Sequence, residues 1–241
     1  MRLEWIPNSM SLGNLFMGFF AIVAIGERRF EEAVWMIALA LILDSMDGNI
    51  ARIFNAESEV GKELDSLADL VSFVVAPSLL VLKSWPCPPQ MHLWIPASFF
   101  LGAGAYRLAR FNVTTVSSVK GFFLGLPTPA AAMILIMTTV GLEKRGVAAT
   151  PGNTMLFFAW IFLLSFTMVS SLRYPKITVV RFKQWKWLFV FGLTSFILAM
   201  KFLNAELAVA TPFIFFLSFG FFSGLFQPRT EVEPSSLIHG A

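Results

Sequence analysis

The chain has 241 residues, of which 56% are hydrophobic and 14% charged, and its formal net charge is +3. So apolar a composition is typical of an integral membrane protein, and no nucleic-acid partner is expected. The single cysteine, Cys87, excludes an internal disulfide and a cysteine-based metal site, and the two scattered histidines, His92 and His239, argue against a histidine-based site.

About eight apolar stretches approach the roughly 20 residues that a bilayer-spanning helix needs. We predict an all-α, polytopic transmembrane bundle with spans near 9–26, 33–54, 62–83, 92–111, 126–143, 154–172, 187–203 and 206–226. One transmembrane domain, 1–227, is followed by a short polar tail, 228–241. The first stretch carries polar residues and leads straight into the second, so we expect it to remain in the mature protein rather than to act as a signal peptide.

Orientation follows from the distribution of Lys and Arg, because cytoplasmic loops carry the excess. Most of them fall on the cytoplasmic side if the N-terminus is inside. We therefore expect a protein of the cell membrane with both termini, and the loop between spans two and three, in the cytoplasm. Trp35, Trp85 and Trp94 are expected at the outer interface. The basic segment Arg173–Lys186 fits contact with an anionic inner leaflet or a purely topological role.

Four aspartates lie where spans two and three should be apolar. Residues three and four apart share one face of a helix, which sorts these positions into two stripes. The first stripe holds Asp44, Asp47, Gly48 and Ala51 and ends at Arg52; the second holds Gly61, Asp65 and Asp69. With a rise of about 1.5 Å per residue, the four carboxylates reach similar depth on antiparallel neighbouring helices.

Four converging carboxylates repel one another unless a cation lies between them. A hard divalent ion with oxygen ligands fits best, which indicates Mg²⁺ or Mn²⁺, with Ca²⁺ as an alternative. The same acids are also compatible with a polar seam in which they pair with Arg52 or Lys62. They are compatible, too, with an ion-coupled transporter, which would predict broken helices or an internal repeat, and the sequence shows no repeat.

The two stripes carry a resemblance to a known family. The order Asp44-x2-Asp47-Gly48-x2-Ala51-Arg52-x8-Gly61-x3-Asp65-x3-Asp69 resembles the signature of the CDP-alcohol phosphotransferases. The resemblance implies a helical membrane enzyme, often homodimeric, that moves a phosphatidyl group from a CDP-linked lipid to an acceptor hydroxyl and releases CMP. It implies these roles: metal binding by Asp44, Asp47 and Asp65; metal binding or, as we favour, general-base catalysis by Asp69; and CDP binding by Gly48, Ala51, Arg52 and Gly61.

Three further stretches resemble the membrane-type phosphatidylserine synthases within that family. They are "PNSMSLGNLFMG" (Pro7–Gly18), "RLARFNV" (Arg107–Val113) and "GLPTPAAA" (Gly125–Ala132). Ser11 stands where Thr is expected, which keeps a hydroxyl. The resemblance implies CDP-diacylglycerol and L-serine as substrates. Glycerol 3-phosphate or an inositol phosphate remains an alternative acceptor, although a phosphorylated acceptor should demand further Arg or Lys side chains near the site.

Several polar residues are candidates for substrate binding. Arg107 and Arg110 share a helical face and can hold a carboxylate or the lipid diphosphate, or can simply anchor the cytoplasmic end of span four. Asn112 adds a neutral donor and acceptor beside them. On span one, a polar edge either faces the nucleotide or satisfies helix ends. Its members are Asn8, Ser11 and Asn14.

Overall fold

The computed structural model describes residues 5–54, 58–85, 91–114, 122–171 and 173–175. In these ranges the chain forms six helices: α1 (Trp5–Gly26), α2 (Phe30–Ile53), α3 (Glu59–Ser84), α4 (Met91–Thr114), α5 (Thr128–Lys144) and α6 (Pro151–Val169). Two three-residue strands, β1 (Phe122–Leu124) and β2 (Arg173–Pro175), pair in antiparallel fashion. The predicted spans 187–203 and 206–226, the tail 228–241 and the basic segment beyond Pro175 lie outside the described residues.

Side-chain caps fix where two of the helices begin. The hydroxyl of Ser58 accepts from the N–H of Gly61 at 3.1 Å ahead of α3, and that of Thr150 accepts from the N–H of Asn153 at 3.3 Å ahead of α6. Each cap satisfies one of the N–H groups that the first helical turn leaves without a partner. The Ser58 cap therefore fixes where α3 begins, and with it how far Asp65 and Asp69 lie from the start of that helix.

Helix α5 forms the centre of the bundle. Every residue from Ala131 to Gly141 is buried, as expected of a helix that is apolar all round. One hydrophobic cluster joins α5 to α1 and α2, with Ile25 and Ile37 at 1% and 0% exposure. A second cluster joins α5 to α4 and α6 through side chains such as Phe100.

Three helices, α1, α3 and α6, are long and apolar enough to cross a membrane. Large apolar side chains on α1 point outward, as lipid-facing residues do: Phe16, Phe19 and Phe20 are 56%, 55% and 48% exposed. The described part of the chain is therefore predominantly helical, as predicted, and three of its six helices are candidate membrane spans, whereas the count of eight spans stays a prediction. Trp85 lies directly after the last residue of α3, at the end of that candidate span. Its indole is buried, stacks on Phe157 at 4.5 Å and donates to the hydroxyl of Thr154, because α6 covers it.

Helix α3 contains a π-helical turn, Val71–Val75, just after Asp69. The N–H of Ala76 donates to the carbonyl of Val71, five residues back, and Pro77 follows within the first turn of the regular helix that resumes there. A proline inside a regular helix would remove one hydrogen bond and clash with the preceding turn. The wider turn accommodates Pro77 while the helix continues.

Candidate active site

Three helices surround the acidic residues. Helix α1 packs closely along both α2 and α3, whereas α2 and the first part of α3 make little close backbone contact with each other. Their acidic side chains nevertheless meet: carboxylate oxygens of Asp44, Asp47 and Asp65 all lie within 4.8 Å of one another. The two stripes therefore converge as their spacing predicted, and α1 lines one side of the space between them.

The acidic cluster, defined as Asp44, Asp47 and Asp65, is only partly exposed to solvent. Asp47 is 5% exposed, the other two are half-buried, and the Oδ1 atom of Asp65 is buried without a hydrogen-bond partner. Among the side chains that the structure describes, no Lys or Arg forms a salt bridge with the cluster. Lys62, one partner that a polar seam would use, is exposed and makes none. The cluster thus carries negative charge that the described side chains do not neutralise.

The donor set of the cluster fits a hard divalent cation. Carboxylate oxygens from two helices converge, one oxygen lacks any partner, and such oxygen-only sets suit Mg²⁺, Mn²⁺ or Ca²⁺. Repulsion among three close carboxylates would fall on binding the ion. The acidic cluster can therefore hold a metal ion, as the sequence predicted.

Helix α1 supplies hydrogen-bond donors to two of the aspartates. The hydroxyl of Ser11 donates to Asp47 Oδ2 at 2.8 Å, and the amide of Asn14 donates to Asp69 Oδ1 at 3.1 Å. All four side chains are buried. Sequence reasoning placed Ser11 and Asn14 on a polar edge facing the nucleotide or the helix ends. The structure instead places both against carboxylates, because α1 lies in the cleft between α2 and α3.

Asn8 and Gly61 form the close contact between the first turns of α1 and α3. A Cβ atom built on Gly61 would lie 2.8 Å from Asn8 Oδ1 and 3.0 Å from Ser58 Oγ, so a larger side chain would displace Asn8 or break the helix cap. Gly48 is half-buried beside Asp47. The side chains of Ala51 and Arg52 lie outside the described residues.

The two arginines of α4 have different surroundings. Arg107 is 7% exposed, donates to the hydroxyl of Thr128 on α5, has an Nε atom without a partner, and is close enough to Asp69 for their charges to interact. Arg110 donates to the carbonyls of Val169 at 2.7 Å and Ser170 at 3.3 Å, where α6 ends. Sequence reasoning missed Thr128, whose only signal was its place in "GLPTPAAA".

Asn112 contributes to the packing of α4 against α3. Its Oδ1 accepts from the hydroxyl of Ser66 at 3.1 Å, and its Nδ2 donates to the carboxylate of Glu63 at 3.4 Å. Both partners lie on α3 beside the stripe of Asp65 and Asp69, not on it. The hydrogen bonds of Asn112 to Ser66 and Glu63 therefore join α4 to α3.

Comparison with known sequences identifies the class. The family described as CDP-alcohol phosphatidyltransferase matches residues 4–216, which include all six described helices in full. The chain belongs to this family, as the spacing of the eight signature residues predicted. The transporter alternative rested only on the four aspartates, and membership in this family accounts for those residues without it.

The chain is also similar to individual members of the family. It is 36% identical to a CDP-diacylglycerol–serine O-phosphatidyltransferase of Helicobacter pylori over 198 residues, which are 82% of this chain and 79% of the relative. Enzymes of the same name from Bacillus subtilis and Methanocaldococcus jannaschii are 32% and 33% identical over 72% and 71% of this chain, and over 91% and 74% of their own lengths.

Proposed function

We propose that this chain transfers the phosphatidyl group of CDP-diacylglycerol to the hydroxyl of L-serine, giving phosphatidylserine and CMP. The observation that carries the proposal is the acidic cluster, which lies next to Asp69 in a chain of this family. Similarity to several relatives named CDP-diacylglycerol–serine O-phosphatidyltransferase favours serine as the acceptor.

The acidic cluster would hold Mg²⁺ or Mn²⁺, with Ca²⁺ as an alternative and Asp69 as an additional ligand if it is not the base. Such an ion, when bound, neutralises the diphosphate and stabilises the oxygen that leaves with CMP. Asp44, Asp47 and Asp65 orient their oxygens toward one point from two helices. Gly48, Ala51, Arg52 and Gly61 are proposed to shape the CDP pocket and to hold its phosphates.

Asp69 is the proposed general base. As the hydroxyl oxygen of serine bonds to the β-phosphorus, the hydroxyl proton moves to Asp69, and the bond between that phosphorus and the CMP oxygen breaks with its electron pair leaving on CMP. A carboxylate can accept this proton if it lies within hydrogen-bond reach of the hydroxyl. Its position beside the acidic cluster, one turn further along α3 than Asp65, supports this role.

Arg107 is the proposed ligand of the serine carboxylate. Its guanidinium is buried, keeps an unpartnered Nε atom and lies near the proposed base, and hydrogen bonds between an ionised donor and an ionised acceptor are strong. Arg110 instead binds main-chain carbonyls at the end of α6. Arg107 is the only Arg or Lys that is buried in the described part of the chain, which disfavours a phosphorylated acceptor needing several cations.

The remaining proposals concern the setting of the enzyme. We propose a cell-membrane protein with cytoplasmic termini, whose polar cavity opens to the cytoplasm while the acyl chains of CDP-diacylglycerol stay in the bilayer. The bias of Lys and Arg toward one side supports this orientation. A homodimer is proposed from the family resemblance.

A release assay tests the proposed function. Purified protein is given CDP-diacylglycerol, Mg²⁺ or Mn²⁺, and one of serine, glycerol 3-phosphate or inositol phosphate, and CMP is followed. We expect CMP with serine and phosphatidylserine as the lipid product. CMP with glycerol 3-phosphate but not serine would overturn the acceptor, and no CMP with any acceptor would overturn the transferase.

A further inference from the structure

Asn14 of α1 is a buried amide with a single charged partner. Its side chain is 0% exposed, and its Nδ2 donates to Asp69 Oδ1 at 3.1 Å. Because an ionised carboxylate only accepts hydrogen bonds, this contact requires the NH₂ group of Asn14 to face Asp69. The bond therefore fixes one of the two oxygens of the proposed base.

This orientation leaves the other end of the amide unsatisfied. The Oδ1 atom of Asn14 is buried and has no hydrogen-bond partner. A buried polar atom without a partner lowers stability, and such atoms in folded proteins call for a physical reason. An apolar side chain of similar size would avoid this cost but could not donate to Asp69, which supports a role for the amide in placing Asp69.

The backbone of Asn14 is itself held against α3. The hydroxyl of Ser72, which is 0% exposed, donates to the carbonyl oxygen of Asn14 at 2.9 Å. Ser72 lies three residues after Asp69, so both side chains project from the same face of α3 toward α1. Two hydrogen bonds in opposite directions thus join α1 and α3 at this level: Asn14 donates to Asp69, and Ser72 donates to Asn14.

Close packing keeps the segment after Asp69 in place on both sides. A Cβ atom built on Gly18, one turn beyond Asn14, would lie 2.8 Å from the Cα of Ser72. On the opposite side, a Cβ atom on Gly104 of α4 would lie 2.6 Å from the Cγ atoms of Val74. Two glycines therefore let α1 and α4 pack closely against the π-helical turn.

We propose that Asn14 is a positioning residue for Asp69. It holds one carboxylate oxygen so that the other is presented to the hydroxyl of the incoming serine. This inference rests on the proposed function, because it assumes that Asp69 is the base. It differs from the sequence expectation that Asn14 faces the nucleotide, since a role in nucleotide binding would act on CDP-diacylglycerol affinity rather than on the rate of transfer.

The test uses Asn14→Leu, which keeps most of the volume but removes the amide, and Asn14→Ala. We expect kcat for CMP release with serine to fall by about ten- to one-hundred-fold, the range found for residues that orient a metal ligand through a hydrogen bond. The KM for CDP-diacylglycerol and the Mn²⁺ concentration for half-maximal rate should stay within about twofold of the wild type. Asn153→Ala is the matched control: its amide donates to Ala148 outside the site, and kcat should not change.

Each result supports or contradicts the inference. A kcat close to that of the wild type in Asn14→Leu would overturn it, and so would a variant whose defect lies in the KM for CDP-diacylglycerol. If neither Asn14 variant accumulates in the membrane, Ser72→Ala takes their place. It should lower kcat in the same direction by a smaller factor, and an unchanged kcat would count against the inference.

The same experiment separates this inference from the function on which it rests. A wild-type protein that releases no CMP with serine contradicts the proposed function itself. A wild type that turns over, an Asp69→Asn variant that does not, and a normal Asn14→Leu variant would together contradict only the role of Asn14.

Discussion

The acidic residues at the two ends of the helical bundle differ in whether Lys or Arg side chains pair with them. At the end where α2 finishes and α3 begins, the acidic cluster forms no salt bridge with the Lys and Arg side chains that the structure describes. At the opposite end, Glu31 of α2 pairs with Lys144 of α5 at 2.6 Å, and Arg29 pairs with Glu32 at 2.7 Å.

The glutamates at the opposite end form ion pairs with Lys or Arg, whereas the aspartates of the acidic cluster require a ligand to neutralise their charge. The glutamates of these pairs are about half exposed or more, so water solvates them and the ion pairs contribute little to the stability of the fold. The acidic cluster is more buried, and its mutual repulsion needs a cation that the described side chains do not supply. Substitutions at the two ends should therefore have very different effects on activity.

The largest expected effect is at the acidic cluster. Asp65→Asn keeps the size of the side chain but removes a negative charge from the proposed metal site, so CMP release at a fixed Mn²⁺ concentration should fall by on the order of 10³-fold. Mn²⁺ binding, followed by electron paramagnetic resonance, should weaken in parallel. Normal binding of Mn²⁺ by this variant would contradict the assignment of Asp65 as a ligand.

The next effect concerns the two arginines of α4. Arg107→Gln should raise the KM for serine by about ten- to one-hundred-fold, because it removes a charged donor from the proposed carboxylate site. Steady-state kinetics with varied serine measure this directly. Arg110→Gln is the comparison variant, because it loses hydrogen bonds to the end of α6 and not a contact in the proposed serine site. We expect its free energy of unfolding in detergent to fall by about 1.5 to 3 kcal/mol. A larger serine defect in Arg110→Gln than in Arg107→Gln would reverse the two roles.

A smaller effect is expected at Ser11. Ser11→Ala removes the hydrogen bond to Asp47 Oδ2, which orients a proposed metal ligand. The Mn²⁺ concentration for half-maximal CMP release should rise by about tenfold, the lower end of the range for such groups, because the donor is neutral. Ser11→Thr, which keeps the hydroxyl, should retain the wild-type concentration, and a rise as large as that of Ser11→Ala would argue against the hydrogen bond as the cause.

The smallest effect is expected at the opposite end. Glu31→Gln breaks the exposed pair with Lys144, which should change the free energy of unfolding by no more than about 1 kcal/mol. CMP release should match that of the wild type, because this pair lies far along α2 from Asp44. A large loss of turnover would show that the two ends are not independent.

Spacing in the sequence was sufficient to predict the core of the site. The offsets of Asp44, Asp47 and Asp65 place them on two helical stripes whatever the surrounding fold is, because helical periodicity is a local property. The boundaries of the six described helices follow the apolar stretches for the same reason. The predicted spans 187–203 and 206–226 lie outside the described residues.

The contacts around the cluster could not be predicted in the same way. Which side chain of α1 meets which aspartate depends on how α1 packs between α2 and α3, and that packing depends on close approaches at Gly18 and Gly61. Arg107 and Arg110 have the same residue type and share a helical face, so only the position of α6 distinguishes them. Trp85 resembles an interfacial tryptophan in sequence but is covered by Phe157 of α6.

We propose that Asp69 acts on the acceptor while the acidic cluster holds the metal. The most direct test is to measure CMP release and CDP-diacylglycerol binding together for Asp69→Asn at saturating Mn²⁺. We expect turnover to be abolished while binding of CDP-diacylglycerol remains measurable. Turnover close to that of the wild type would contradict the assignment of Asp69 as the base.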